Sequence, residues 1–181
     1  MRIQVFLALA VIMMAVLASS PTFAEEELTF TEAWTKGSIV LSLRYRYENV
    51  DDDAIEEEAH ASTLRTVLGF KTATWKGLGL LATAENVASI GNDTYNNAGF
   101  GDYHNDVRDR PVVADPVGTD VGQLFLSYTH EGTTSFAQLG RAEINIDDQR
   151  FVGAVGWRQH HQTFNTFKFT NSSLDLSLIH I

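Results

Sequence analysis

Apolar and polar residues alternate along LSLRYRYE, residues 41–48. Leucine or tyrosine occupies every second position, and serine, arginine and glutamate lie between them. A side-chain period of two predicts a β-strand with one apolar and one polar face. In a soluble sheet the apolar face would pack inside the protein. In an outer-membrane barrel that face would contact lipid, and the arginines would line water.

The same pattern recurs along the chain and predicts six strands. We place them at about 38–49, 62–74, 78–88, 121–130, 135–144 and 162–170. The faces of the fifth strand stay open, because Leu139 shares parity with Arg141, a conflict that a β-bulge could resolve. The sixth strand has aromatic residues on both parities and cannot be oriented from its sequence.

The connections between these strands alternate in length. Those at about 50–61, 89–120 and 145–161 are long, whereas those at 75–77 and 130–134 are short. Membrane barrels join their strands by short periplasmic turns and long extracellular loops. Tyr45 and Tyr47 near a loop end, and Trp75 at a turn end, fit the aromatic belts of the two membrane interfaces.

These features predict an all-β chain of the antiparallel transmembrane β-barrel family. Six strands are too few to close such a barrel, since the smallest have about eight. We therefore expect an incomplete, open, curved sheet of about six strands, with the first and last strands as free edges. The alternative is a soluble periplasmic β-sandwich that binds carbohydrate.

The first 24 residues have the features of a secretory signal peptide. Arg2 precedes an apolar run, and Thr22 and Ala24 occupy the −3 and −1 positions of a cleavage site. A membrane anchor is the alternative, but the run is short for a span of about 20 residues. We predict a signal peptide at 1–24, a periplasmic lead-in or short helix at 25–36, and barrel sequence at 37–175. The mature chain would lie in the outer membrane of a Gram-negative bacterium.

Composition excludes several classes of function. The chain has 13 Lys+Arg, 23 Asp+Glu and no cysteine. It therefore lacks the basic footprint of a nucleic-acid-binding protein and has no thiolate or disulfide chemistry. It contains no G-x-S-x-G or H-E-x-x-H sequence. We predict that it is not an enzyme and needs no cofactor.

Two segments are weak candidates for binding a metal. Adjacent residues on a strand point apart, which argues against His160-His161 as a ligand pair. The acidic run 48–58 could hold Ca²⁺ bridging to lipopolysaccharide. It lacks the spacing of a dedicated calcium loop, so a solvated loop is the favoured interpretation. We predict no metal site.

Cations fall on the polar parity of the first two predicted strands. They are Arg44, Arg46, Arg65 and Lys71. In an aqueous channel such a ladder favours passage of carboxylate-bearing solutes. The alternative is that these cations brace the inner wall through ion pairs with nearby acids. Those acids are Glu48, Glu85 and Glu143.

Three segments resemble the alginate-export family of outer-membrane porins. They are LRYRYENVDDD at 43–53, RPVVADPVGTDVGQLFLSY at 110–128, and LGRAEINIDDQRFVGAVGWRQHHQTFN at 139–165. The resemblance implies a single-chain barrel of about 18 strands. Its positively charged lumen would pass anionic polysaccharide or smaller sugar acids. This chain would be the N-terminal third, and the final LSLIHI, 176–181, reads as a possible non-native tail.

The resemblance also implies roles and partners. Arg141 and Arg150 would lie near the constriction, with Asp147 and Asp148 as partners, although Arg150 could instead structure its loop. Arg158 belongs to the matched motif. The implied partners are outer-membrane lipid and lipopolysaccharide, an anionic carbohydrate solute and the barrel-assembly machinery, with no nucleic acid.

Overall fold

The computed structural model describes residues 28–99, 104–173 and 176–181. Within them the chain forms one short α-helix, seven strands and a 3-10 turn at Glu131–Thr133. The helix is α1 (Phe30–Thr35), and the strands are β1 (Ser38–Val50), β2 (Ala59–Lys71), β3 (Leu78–Thr94), β4 (Gly118–His130), β5 (Ser135–Ala142), β6 (Phe164–Asn171) and β7 (Leu176–His180). The predicted signal peptide, 1–24, lies outside the described residues.

Each strand pairs antiparallel with its neighbour in the chain, in the order β1 to β7. Among the described strands, β1 and β7 have one neighbour each, so the sheet is open. The all-β, antiparallel, open-sheet prediction is confirmed. β7 adds a strand within 176–181, and the foreign origin suggested for that segment stays a prediction. The predicted lead-in contains α1.

The two faces of the sheet differ in character, and we call them outer and inner. On β1 the outer face carries Leu41 and Leu43, whose side chains are 62% and 63% exposed. The inner face carries Arg44 and Arg46, which are half-buried. The register continues both faces onto β2, because Leu41 pairs with Leu68. The apolar outer face of the sheet is therefore exposed, whereas the charged side chains on the inner face are half-buried.

A bulge keeps β4 aligned with this division. Ala82 pairs with Leu124 and Ala84 with Val121, so two residues of β4 oppose Thr83. The hydroxyl of Thr83 accepts a hydrogen bond of 2.8 Å from the backbone N–H of Gln123. The extra residue places both Val121 and Leu124 on the outer face although their parities differ.

The structure also settles the two strands that the sequence left open. Phe167 of β6 pairs with Leu139 of β5 and lies on the outer face, while Lys168 pairs with Gln138 on the inner face. On β5 the regular backbone is interrupted at Gly140, which has a φ of +138°. Beyond this glycine the Arg141 side chain lines the inner face, although its Cα pairs with Leu124.

The long loops lie at one end of the sheet and the short turns at the other. We call the loops L1 (51–58), L2 (95–117) and L3 (143–163). Ala59, Ala61, Tyr95 and Val113 form a small buried cluster beside L2. L3 folds back across the inner face of β1, β2 and β3. None of the described helical segments is long and apolar enough to cross a membrane.

Candidate functional site

Gln159 of L3 is the most enclosed side chain where the loop meets the inner face. It is fully buried. Its amide Nε2 donates to the hydroxyl of Thr63, at 2.8 Å, and to the carbonyl of the same residue, at 3.2 Å. Its Oε1 accepts from Nε of Arg44 at 2.9 Å. One neutral amide therefore ties L3 to both β1 and β2.

Arg44 extends this attachment along the loop. Its Nη1 donates to the carbonyl of Gly156 at 2.8 Å, and its Nη2 donates to the carbonyl of Arg158. A guanidinium can satisfy several carbonyls at once because its five N–H groups form a fixed fork. Arg44 is thus occupied by the loop backbone and holds L3 in place.

A second group of charges forms beside Trp157. Arg46 pairs with Glu48 on its own strand and lies 3.4 Å from Oδ2 of Asp115 in L2. Arg158 lies 3.7 Å from Glu48 and 4.0 Å from the same Oδ2. The two guanidinium carbons lie 5.4 and 4.0 Å from the centre of the Trp157 ring. The arrangement joins β1, L2 and L3 through two cations and two acids.

Asp115 connects this group to the buried cluster of L2. Its Oδ1 accepts from the backbone N–H of Gln159 at 2.9 Å, and its carbonyl accepts from the Tyr95 hydroxyl at 3.0 Å. Burial raises the pKa of Tyr95 well above its usual range, and the charges of Asp93 and Asp115 raise it further. Tyr95 therefore stays a neutral hydrogen-bond donor at ordinary pH.

A third group of charges surrounds Arg65. Its Nε and Nη2 both lie 2.6 Å from Oε2 of Glu85 on β3. Nδ1 of His161 lies 3.1 Å from Arg65 Nη2 and 2.8 Å from Oε1 of Glu143. Nδ1 of His160 lies 3.3 Å from Glu85 Oε1. The two histidines therefore contact carboxylates on the inner face.

Next to this group the inner face encloses a cavity of about 330 Å³. Lys71 and Arg141 line it together with Arg65. Arg141 donates from Nε to the hydroxyl of Thr163 at 2.7 Å. Among the described residues, no carboxylate lies within 4.0 Å of the cationic groups of Lys71 or Arg141.

Carboxylates line the same cavity, so its charge has to be counted. Glu85 is held by Arg65, and Glu143 contacts His161. Asp120 is exposed. Arg65, Lys71 and Arg141 are thus matched in number by Glu85, Asp120 and Glu143, and the lining has no net charge when its histidines are neutral.

The structure brings six of the seven predicted site residues to the inner face and leaves one apart. The six are Arg44, Arg46, Arg65, Lys71, Arg141 and Arg158. Arg150 is exposed in a turn closed by the Ile146–Val152 bridge, and its backbone N–H donates to the carbonyl of Asp147. Among the described residues no ion pair joins Asp147 or Asp148 to an arginine, so the expected pairing with Arg150 is not present there.

Sequence reasoning named Glu48, Glu85 and Glu143 as partners of the cations, and the structure places all three in the network. It missed Gln159 and Asp115. Gln159 lies in the GWRQ stretch used for the resemblance, yet an amide in a loop follows no periodicity. Asp115 follows Ala114 in L2 with no spacing that points to a partner 44 residues away. The one signal in the sequence is that the segment resembling the family, 139–165, covers the whole of L3.

The described residues contain no group of three or more potential metal ligands. The acidic loop L1 instead contacts L2, because Arg110 lies 3.1 Å from Glu57 and donates to the carbonyl of Glu58 at 2.6 Å. The inner face of the sheet therefore carries arginines, a lysine and carboxylates held mainly by contacts with one another and with L3.

The comparisons with known proteins agree with this architecture. The family model described as Alginate export matches residues 36–178. The chain belongs to the alginate export family. This is a family of outer-membrane transport porins rather than of enzymes. No curated protein and no solved structure matches the chain.

Proposed function

We propose that the chain is the N-terminal part of an outer-membrane channel. The channel passes anionic sugars, sugar acids or an anionic polysaccharide such as alginate through a basic lumen. The observation that carries the proposal is the exposed apolar outer face opposite a polar inner face, on which Lys71 and Arg141 have no described carboxylate partner. A sheet of this kind places lipid on one side and water on the other.

The dimensions of the outer face support a membrane location. Apolar outer residues on β1 begin at Ile39, and the tyrosines Tyr45 and Tyr47 follow towards L1. Ile39 to Tyr47 spans nine residues, within the range of about 9–11 residues that a tilted transmembrane strand needs. Membrane barrels have an apolar band about 25 Å tall with aromatic residues at its borders. The two tyrosine hydroxyls bond Ser62 and His60.

The contacts on the inner face divide the cations by role. Arg44 is bound to loop carbonyls, and Arg65 is bound to Glu85. We assign these two to bracing of the wall. Lys71 and Arg141 line the cavity without a described carboxylate partner, and we assign anion selectivity to them. A solute carboxylate would bind weakly and repeatedly at such positions, as passage requires.

Charge reversal tests this assignment in the complete barrel that carries the chain. Lys71→Glu combined with Arg141→Glu should reduce anion preference, measured as the reversal potential of planar bilayers under a salt gradient. The difference should shrink at high salt, because the Debye length falls from about 10 Å at 0.1 M to about 3 Å at 1 M. Arg150→Glu, an exposed change outside the cavity, is the matched control and should leave the reversal potential nearly unchanged.

An unchanged reversal potential in the assembled double variant would remove the selectivity role. Assembly itself is checked by heat-modifiable migration on a detergent gel. Fractionation with the outer membrane separates the channel from the periplasmic β-sandwich. The sandwich is disfavoured because its apolar face should be covered by a second sheet, whereas Leu41 and Leu43 are exposed.

A further inference from the structure

Helix α1 is held in a defined shape by its own N-terminus. The backbone N–H of Thr29 donates to the Glu32 carboxylate at 2.8 Å, and the Thr29 hydroxyl accepts from the backbone N–H of Glu32 at 3.2 Å. This reciprocal pair is a capping box. The bonds from Thr29, aided by the charge of Lys36, lower the pKa of Glu32. A six-residue helix is too short to persist alone, so the cap and the packing together maintain it.

The packing places α1 against the outer face at the turn end of the sheet. Trp34 stacks on Phe70 with ring centres 5.8 Å apart and planes 6° apart. Phe30 meets Trp75 edge to face at 5.4 Å. The carbonyl of Ala33 accepts from the backbone N–H of Ala73 at 2.9 Å. Phe70 pairs with Ile39 on the outer face, so α1 lies on the apolar side of the sheet.

Gly37 allows this close approach. A Cβ at this position would overlap the Phe70 ring and lie 2.8 Å from the carbonyl oxygen of Lys71. The chain can therefore turn from α1 into β1 without moving the helix away from the outer face.

The packing leaves much of the aromatic surface of α1 uncovered. Phe30 is 57% exposed and Trp34 is 44% exposed. They continue an apolar surface that includes Ile39 and Leu68, which are also exposed. Thr31 and Thr35 form a polar stripe beside the rings. Amphipathic rings at the border of an apolar band are typical of the lipid–water interface.

We propose that α1 is an interfacial anchor. Phe30 and Trp34 bind among the phospholipids of the leaflet on the turn side, at the boundary of headgroups and acyl chains. The occupant is lipid because the surface is continuous with the outer face that the channel proposal assigns to lipid, and the inference rests on that proposal. It gives the predicted lead-in a location outside the lumen and against the membrane.

Spin-label depth measurements test the proposal in the complete barrel reconstituted in phospholipid vesicles. The described chain has no cysteine, so an introduced cysteine is a unique label site within it. Phe30→Cys reports on α1. Leu43→Cys on the outer face and Ser42→Cys on the inner face are matched neighbours that calibrate lipid and water. The readout is the accessibility of each nitroxide to oxygen relative to a water-soluble nickel complex.

The label at Phe30 should be severalfold less accessible to nickel than the label at Ser42, and shallower than the label at Leu43. A Phe30 label that matches Ser42 while Leu43 reports lipid would overturn the anchor and leave the channel standing. A Leu43 label that also matches Ser42 would overturn the channel proposal and the anchor together.

A second label position keeps the test decisive. Phe30→Cys removes one ring of the cluster, so a barrel with this change could fail to assemble. Thr35 is exposed and outside the ring contacts. A label at Thr35 should report a depth between those of Ser42 and Leu43, and a value equal to that of Ser42 would overturn the anchor.

Discussion

Gln159 has no charge, yet its side-chain amide attaches L3 to both β1 and β2. Its amide satisfies Thr63 and Arg44 in a fully buried position. Truncating it removes the acceptor of Arg44 Nε and the donor to Thr63, and an unpaired buried polar group costs about 1–3 kcal/mol. We predict that Gln159→Ala releases L3 locally. Amide hydrogen exchange across 154–162 should accelerate about tenfold or more, since 1.4 kcal/mol is a factor of ten.

Gln162→Ala is the matched control for this prediction. Gln162 lies in the same loop and its side chain is exposed. Its loss should leave exchange across the loop unchanged, and both variants should retain heat-modifiable migration of the barrel. Equal exchange rates in the two variants would show that L3 is held by its charges alone.

At the residue scale the sequence predicts faces better than partners. Alternation places Arg44 and Arg65 opposite Leu41 and Leu68, because strand geometry is local. It does not reveal that Arg44 binds loop carbonyls 112 or more residues away, because such contacts depend on how L3 folds. The same applies to Asp115, whose partners come from three segments.

At the element scale the irregular positions decide which way side chains point. Gly140 has a φ of +138°, which side chains of L-residues rarely adopt, and a Cβ there would lie 2.7 Å from the Cα of Phe125. We predict that Gly140→Ala destabilises the barrel by about 1–3 kcal/mol, the usual cost of a strained backbone position. The measurement is the urea concentration at the midpoint of unfolding. The folded fraction at each urea concentration is read from heat-modifiable migration on a detergent gel.

Gly156→Ala serves as the comparison. A Cβ at Gly156 meets no heavy atom within 4 Å. This variant should unfold at the same urea concentration as the unchanged barrel. A Gly140→Ala barrel as stable as Gly156→Ala would mean that β5 reaches the inner face at Arg141 by another route than this glycine.

The strands themselves were largely predictable, and their irregularities were not. The six expected segments correspond to β1 to β6, with ends displaced by up to six residues. β3 extends to Thr94 because Asp93 and Thr94 pair with Ala61 and His60 of β2. The alternation of residues within β3 does not reveal this pairing. The bulge opposite Thr83 and the break at Gly140 depend on register with a neighbouring strand. In the sequence, the only indication of the break at Gly140 is that Leu139 and Arg141 share the same parity.

At the scale of the whole molecule, the strand order determines what the chain can do alone. The seven strands run in a single linear order, and β1 and β7 are not paired with each other. Barrels in bacterial outer membranes close with about eight or more strands, usually an even number. An open sheet leaves backbone N–H and C=O groups at two edges, and such groups are costly in lipid.

We therefore predict that the chain by itself does not form a stable pore. Refolded from urea into phospholipid vesicles, it should give no discrete conductance steps in planar bilayers and no heat-modifiable band. The complete barrel treated identically is the positive control and should give both. The isolated chain should instead aggregate through its edges, which light scattering detects and which charged substitutions on β1 and β7 should reduce. Stable, uniform conductance steps from the isolated chain would contradict the prediction, because they would require its edges to pair with each other or with a second copy.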